Sequence, residues 1–256
     1  MLLPPHGLIG RFLHRRSVAR WRAAARAVPA TRNGDLEVQV QIARRTMRRL
    51  RDFDAAAGAK LALPRPGSTT FPRPAGTDWS WRPKPWRLPC PELGLAPALP
   101  KDEITNELVV FHDCKRREII LRQIRNTREI DLSPYGWDLE VFHFDGTYLS
   151  LVLEVPPASC EGLRKRHLFQ LALNVMRERP TKIHTRLNVK HGPNVEQILL
   201  TLPDEEEAVV EFDLAYTQLN EARAERMWVD LMIEDPAMNR ITFRDLTMSR
   251  YPRAEI

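Results

Sequence analysis

From about residue 106 to the C-terminus, short apolar segments are separated by polar turn residues. Within Tyr148–Val155 and Val209–Leu214 apolar and polar positions alternate, the two-residue period of a strand with one buried face. No helical segments alternate with these strands, which argues against a parallel α/β sheet. We therefore predict a mainly β protein, a jelly-roll-like antiparallel β-sandwich. The expected strands are 107–112, 118–124, 139–144, 148–155, 167–175, 182–189, 197–202, 208–214, 227–233 and 241–248.

The N-terminal part has the period of helices instead. Leu8–Val28 places apolar residues on one side and arginines on the other. Pro29 ends this helix, and Asp35 is placed to cap a second one. The apolar residues of the second helix follow a 4-3-4-3 spacing, typical of a helix that packs on another helix. The spacing is consistent with an α-helical hairpin and equally with association with a second chain.

Residues 63–100 differ from both neighbouring regions. They hold ten of the 21 prolines, so we expect neither helix nor central strand in this stretch. They also hold Trp79, Trp81 and Trp86, whereas disordered linkers are poor in aromatic residues. Anchoring against the sandwich and stacking on sugar rings are both open to these tryptophans, and we favour anchoring. We divide the chain into a basic arm (1–62), a strap (63–100) and a sandwich domain (101–256).

Charge is distributed unevenly along the 256 residues. Residues 1–60 carry 13 Lys and Arg against 4 Asp and Glu, a charge of +9. Residues 61–100 carry +3, so residues 101–256 are at −6 within a total of +6. Because the basic residues belong to the N-terminal part, the positive charge of the whole chain is a poor argument for nucleic-acid binding by the sandwich itself.

The sequence favours a reducing compartment. Cys90, Cys114 and Cys160 are odd in number and widely spaced, which suggests free thiols rather than disulfides or a zinc site. The arginines that begin at Arg11 interrupt the apolar N-terminus before a signal peptide could form, and no run approaches a membrane span. We expect a cytoplasmic protein, with peripheral contact to the inner membrane as an option.

Five segments carry a resemblance to a known family: Phe111–Cys114, Leu121–Glu129, Phe144–Leu151, Arg186–Asn194 and Arg244–Glu255. They resemble an uncharacterised bacterial protein family of unknown function, and the likeness covers most of the chain. The resemblance implies no activity, cofactor or catalytic residue. The final strand, Ile241–Ser249, is also similar in topology to the last strand of carbohydrate-binding jelly rolls.

The short segment His112-Asp113-Cys114 is the candidate for nucleophilic chemistry. Residues 112 and 114 share a strand face, so a Cys–His contact is possible. The competing interpretation is a structural strand end before the turn at Lys115–Arg117, and we favour it. No catalytic residue and no metal ligand is assigned, since no HxH or HxxxH pair, phosphate loop or nucleophile elbow occurs. No cofactor is expected.

A second candidate is the segment from Arg186 to Asn194. Strand alternation turns Arg186, Asn188 and Lys190 outward together, with Asn194 just past a turn. Amide and cationic groups on a sheet face suit the hydroxyls of a sugar or an acidic ligand. A solvated sheet face is the alternative. As outward residues, all three are expected to contribute little to stability, within about 0.5 kcal/mol each.

The basic arm offers a third candidate surface. Arg11, Arg15, Arg22 and Arg26 gather on one helix face, which suits an anionic membrane surface or, by the same charges, nucleic acid. A solvated helix that packs on itself or on a partner is the alternative.

From these patterns we expect a non-enzymatic binding module with a glycan or a protein as its partner. The basic arm provides an alternative function, as an adaptor at a membrane surface or on nucleic acid, and its helices could form a homo-oligomer. A hydrolase that acts from the sandwich face is a further alternative.

Overall fold

The structure, a computed structural model, describes residues 8–61, 70–90 and 94–254. The chain divides into two units, residues 1–54 and residues 55–256. The first contains helix α1 (Leu8–Ala27) and most of helix α2 (Asn33–Leu61), joined through one turn of 3-10 helix at Val28–Ala30. The second contains the β-sandwich.

The two helices expose much of their apolar surface. On α2 the predicted apolar seam includes Val40, Met47 and Leu50, and all three side chains are exposed. Asp35 does not cap α2 as expected. The helix begins at Asn33, the Asp35 N–H donates to the Arg32 carbonyl over 3.1 Å, and Asp35 lies in the first turn. Its carboxylate there still favours the positive end of the helix dipole. No helix in the described ranges is long and apolar enough to cross a membrane.

The second unit is rich in strands, and each of the ten predicted strands overlaps an observed one. The third differs most, because it was expected at 139–144 and lies at Tyr135–Val141, and the last continues to Pro252 rather than ending at 248. The described residues contain three further short strands, β1 to β3, and a one-turn helix, α3 (Lys84–Arg87). The strands are β1 (Trp79–Trp81), β2 (Gly94–Leu95), β3 (Lys101–Thr105), β4 (Leu108–His112), β5 (Ile119–Arg125), β6 (Tyr135–Val141), β7 (Leu149–Val155), β8 (His167–Arg177), β9 (Ile183–His191), β10 (Asn194–Thr201), β11 (Glu207–Asp213), β12 (Ala224–Ile233) and β13 (Asn239–Pro252).

The strands form two antiparallel sheets. The first sheet has seven strands in the order β11-β8-β13-β6-β5-β2, with β1 paired to β13 off this path. The second has six strands in the order β10-β9-β12-β7-β4-β3. The prediction of a mainly β sandwich preceded by an N-terminal helical segment is confirmed.

Alternate residues of both sheets fill the core. In β7, Leu149, Leu151 and Leu153 point inward, and in β8 the inward positions include Phe169 and Leu171. Each such side chain contributes about 1.5–3 kcal/mol relative to an exposed one. The opposite positions of each strand form the two outer faces of the sandwich.

The described part of the strap belongs to the first sheet. β6 pairs with Asn239–Phe243 of β13, and β1 pairs with Met248–Arg250 further along the same flank. Trp86 of α3 is completely buried, and its Nε1–H donates to the Phe243 carbonyl over 3.0 Å. Trp137 packs edge-on against Trp86 at a centroid distance of 6.5 Å. Trp79 and Trp81 are partly buried and also pack against the core, so the expectation that the three strap tryptophans anchor the strap is confirmed.

Candidate groove on the second sheet

The outer face of the second sheet carries an open groove of about 700 Å³. Five strands, β3, β4, β7, β12 and β9, supply its lining from their outward positions. The strand register places Val109 opposite Val152 and Val152 opposite Asp230, so these three side chains cross the middle of the sheet in one row. The groove lies within the size range of sites for small molecules and oligomeric ligands.

Three aromatic side chains lie near this central row, which forms the floor of the groove. Phe111 lies on β4, Tyr148 immediately precedes β7, and Trp228 lies on β12. Tyr148 is 50% exposed, although an aromatic ring normally gains by burial. The Arg226 guanidinium lies 4.9 Å from the centroid of the Trp228 ring and restricts the orientation of the indole.

The charges of the lining balance. Three cations, Lys101, Arg186 and Arg226, accompany three carboxylates, Glu103, Glu154 and Asp230. Arg186 Nε donates to Asp230 Oδ2 over 2.8 Å. Arg226 forms a two-pronged pair with Glu154, one arm of which is the bond from Nε to Oε2 at 2.9 Å. A ligand with a large net charge would find no matching excess of charge here.

One polar group in the groove has no partner within the protein. Ser150 lies on β7 between Phe111 and Met232 of the adjacent strands, and it is 8% exposed. Its buried Oγ makes no hydrogen bond to any described residue. Since an unpaired buried hydroxyl costs about 1–3 kcal/mol, this atom favours a ligand that supplies the missing bond.

The structure places the four predicted ligand residues in different environments. Arg186 lines the groove. Asn188 is outward as predicted, but it is fully buried, since its Nδ2 donates to Asp230 Oδ2 over 3.0 Å and its Oδ1 accepts from Gln197. Lys190 pairs with Glu225 at 3.3 Å, and Asn194 begins β10; neither contributes to the groove.

Sequence reasoning missed the aromatic side chains and Ser150. Each of them stands within or next to a strand that was predicted correctly, so alternation alone assigns its face. The strand order of the second sheet was the missing information, because it brings β4, β7 and β12 side by side from distant parts of the chain. No short-range sequence signal reveals that order.

The His112–Cys114 segment is structural. His112 is buried, its Nδ1 accepts from the Cys114 N–H at 3.2 Å, and its Nε2 lies 3.2 Å from the Ala98 carbonyl. This arrangement places the proton on Nε2 and leaves no ring nitrogen to accept the thiol proton. The Cys114 thiol donates instead to Asp145 Oδ1 over 3.1 Å.

Asp113 and Asp145 accept hydrogen bonds from the backbone of the two turns that meet here, at Lys115 and at Thr147–Tyr148. The thiol bond from Cys114, followed by backbone N–H groups, holds the pKa of Asp145 below its usual value. The Thr147 hydroxyl does the same for the pKa of Asp113, with help from two backbone N–H groups. Within the described ranges, no group of His, Cys, Asp and Glu side chains is arranged to hold a metal ion.

On the arm, the side chains of Arg11, Arg15, Arg22 and Arg26 are all exposed along α1. They are free to meet an anionic surface, and their role stays a prediction.

Comparison with known proteins identifies the family. The family model DUF6478, described as a family of unknown function, matches residues 1–256. The chain belongs to this family. A search of curated proteins gives no match.

Solved structures with a similar sandwich include carbohydrate-binding modules. The family 11 module from Clostridium thermocellum, in complex with a mixed-linked tetrasaccharide, aligns with a TM-score of 0.38 at 10% identity and covers 59% of this chain and 92% of its own. The module TmCBM61, in complex with a galactotriose, aligns with a TM-score of 0.34 at 10% identity and covers 56% of this chain and 88% of its own. The enzymatically active domain of tailspike protein 4 of bacteriophage CBA120 aligns with a TM-score of 0.41 at 7% identity. The alignment covers 56% of this chain and 19% of the tailspike chain. At these TM-scores and identities, none of the likenesses supports an argument about this chain.

Proposed function

We propose that this DUF6478 protein is a non-enzymatic recognition module that binds an uncharged glycan in the groove of the second sheet. The observation that supports the proposal most directly is the lining itself. Aromatic side chains that are partly or half exposed lie around a mixed apolar and polar floor, in which both arginines have a carboxylate partner and the buried Ser150 hydroxyl has none.

The chemistry of this lining matches that of a sugar. A pyranose ring offers apolar C–H faces to aromatic rings and hydroxyl groups to amides, carboxylates and guanidinium groups. The balanced charge disfavours phosphate-rich ligands, which would need an excess of Lys and Arg. The groove extends over five strands, so it suits a chain of several sugar rings rather than a single ring.

The proposal is tested by screening the full-length protein on a glycan array and titrating the best neutral oligosaccharide calorimetrically. Tyr148→Ala and Trp228→Ala are each expected to weaken binding at least tenfold, about 1.4 kcal/mol, because each removes apolar contact surface. Tyr216→Ala is the matched control, since Tyr216 is exposed and lies outside the groove. Its affinity should equal that of the parent protein.

Three results would contradict the proposal. They are binding that survives both groove substitutions, loss of binding in the Tyr216 variant, and a preference for polyanionic glycans. Release of new reducing ends from the bound oligosaccharide would show hydrolysis, and the protein would then be a hydrolase rather than a binding module. Glu154 and Asp230, the carboxylates nearest the floor, are held in ion pairs with arginines, an arrangement that suits a binding surface.

A second candidate function belongs to the basic arm. The four exposed arginines of α1 lie in a region of charge +9, whereas residues 101–256 are at −6. In this alternative the arm associates with an anionic membrane surface. Replacement of Arg11, Arg15, Arg22 and Arg26 by Gln should then abolish salt-sensitive co-sedimentation with anionic vesicles. Undiminished co-sedimentation, or tighter binding to nucleic acid, would contradict it.

A further inference from the structure

Four strands end the main paths of the two sheets, and the three-residue β1 forms a short fifth edge beside β13. On the first sheet, β2 has only two residues, and β11 carries Glu207, Glu211 and Asp213. On the second sheet, β3 begins with Lys101, Asp102 and Glu103 and is irregular before Thr105. Short length, charge and irregularity are the usual means by which proteins prevent sheet edges from pairing.

Strand β10 has none of these protections. It runs for eight residues, pairs with β9 in unbroken register, and contains no proline, lysine or arginine. Its single charged residue, Glu196, has its carboxylate bound to the Gln218 N–H at 3.0 Å. Val195 and Leu199 lie on its outer side and are 41% and 59% exposed.

The backbone of β10 also offers free hydrogen-bonding groups. The Leu202 N–H donates to the Ile183 carbonyl over 2.8 Å, which makes these two residues a bonded pair of the β9–β10 ladder. Since bonded pairs alternate in antiparallel strands, the backbone groups of Val195, Gln197 and Leu199 point away from β9. Among the described residues, no backbone–backbone bond outside the ladder occupies them.

We infer that β10 is a self-association edge, and that two copies of this chain pair through it in antiparallel fashion. A twofold axis at Gln197 sets Gln197 opposite its own copy. Val195 of one chain then faces Leu199 of the other, and Leu199 faces Val195. The three residues whose backbone groups are free are the ones that form the new bonded pairs, and both exposed apolar side chains gain apolar partners.

This register explains why the occupant is a second copy. The pairing places no like charges opposite each other, since Glu196 faces Ile198 of the other chain. The two six-stranded second sheets become continuous, and both grooves lie on the same face of the combined sheet. The inference is independent of what the grooves bind.

The test is the mass of the full-length protein in solution, measured by sedimentation equilibrium over a range of concentrations. We expect about twice 29.6 kDa at high concentration and dissociation on dilution. The double variant Val195→Lys with Leu199→Lys should stay at 29.6 kDa at every concentration, because lysines then face lysines. The variant Val195→Glu with Leu199→Glu should behave in the same way.

A mixture of the two double variants provides the decisive step. Lysine then faces glutamate at both positions, so the mass of a dimer should return even though neither variant dimerises alone. Val209→Lys, on the edge strand of the other sheet, is the matched control and should leave the parent dimer intact. A monomeric parent protein, a dimer that survives the lysines, or a mixture that stays monomeric overturns the inference.

Crosslinking tests the register. Gln197→Cys should give a disulfide-linked dimer under mild oxidation, because the Cα atoms of a bonded antiparallel pair lie about 5.5 Å apart, within reach of a disulfide. Val195→Cys should not, since its partner is Leu199. The parent protein, with Cys160 as its one thiol of intermediate exposure, controls for background. Efficient linkage at position 195 rather than 197 would overturn the register.

Discussion

The outer faces of the two sheets carry similar ion pairs, but the described part of the strap covers part of the first face and leaves the groove of the second uncovered. On the first sheet, Asp138 is fully buried, accepts from Thr242 over 2.6 Å and pairs with Arg240 and with Arg122. Nearby, Arg82 of the strap forms a two-pronged pair with Asp245.

The second sheet also pairs its arginines with carboxylates but leaves Tyr148 half exposed, and Phe111 and Trp228 partly exposed, beside them. No described part of the strap lines its groove. The comparison shows that ion pairs on a sheet face do not by themselves indicate a structural or a binding role. Coverage and unsatisfied groups distinguish the two: the strap covers part of the first face, whereas on the second face Tyr148 is 50% exposed and the buried Ser150 hydroxyl has no partner among the described residues.

The largest test of this difference compares two tryptophans. Trp86→Ala should lower the free energy of unfolding by about 3–5 kcal/mol, because it leaves a cavity in the core and removes the bond to the Phe243 carbonyl. Urea denaturation followed by circular dichroism measures it. Trp228→Ala on the groove face should cost clearly less. Equal losses for the two variants would mean that the second face is as much a part of the core as the strap is.

The next test concerns the buried carboxylate of the first face. Asp138→Asn should cost about 1.5–3 kcal/mol, since Arg240 and Thr242 lose a charged acceptor. Glu154→Gln, on the partly exposed pair with Arg226, should cost less than about 1 kcal/mol. Thermal or urea unfolding of both variants gives the comparison. A groove pair as costly as Asp138 would remove the contrast between the two faces.

A third test lies within the second sheet. The sequence predicted that Asn188 and Lys190 contribute equally little to stability. Asn188 is buried and bonded to Asp230 and Gln197, so Asn188→Ser should cost about 1–3 kcal/mol. Lys190→Ser should stay within about 0.5 kcal/mol, because Lys190 pairs only at the surface. Similar unfolding midpoints for the two variants would restore the original expectation.

The case of Asn188 shows how far the sequence reached. Period-two alternation assigned the strands and the faces of β9 correctly, because that period is a local property of the chain. Burial on an outer face is not local. Asn188 is covered because Asp230 of β12 and Gln197 of β10 lie on either side of it, and the order of strands in the sheet decides that.

The strap illustrates the same limit for the fold. Its tryptophans indicated docking, which the structure confirms. Its proline content, however, argued against any strand there, and β1, a strand of three residues between proline-rich segments, was therefore not predicted. β1 extends the first sheet only because β13 runs beyond the end of β6. Pairing of this kind depends on a partner more than 160 residues away in the chain, and the hydrophobic pattern of neither strand indicates it.

The smallest expected effect is the pH dependence of the bond that ties the strap to β13. Asp78 Oδ1 accepts from Arg250 Nε over 2.9 Å. Burial opposes ionisation of Asp78, but the hydrogen bonds and the charge of Arg250 outweigh it and hold the pKa below the usual 3.8. Because the folded-state pKa is depressed, the stabilisation is present above pH 3.8 and is lost as the pH falls through the folded-state value.

Asp78→Asn should therefore lower the free energy of unfolding at pH 5 by only about 0.5–1 kcal/mol, since Asp78 is partly exposed and its charge is screened. The difference from the parent protein should shrink as the pH is lowered from 5 towards 3. Melting temperatures of both proteins across this range measure it. A difference that stays constant down to pH 3 would show that the carboxylate charge does not hold the strap, and that β1 and the buried Trp86 are sufficient to hold it.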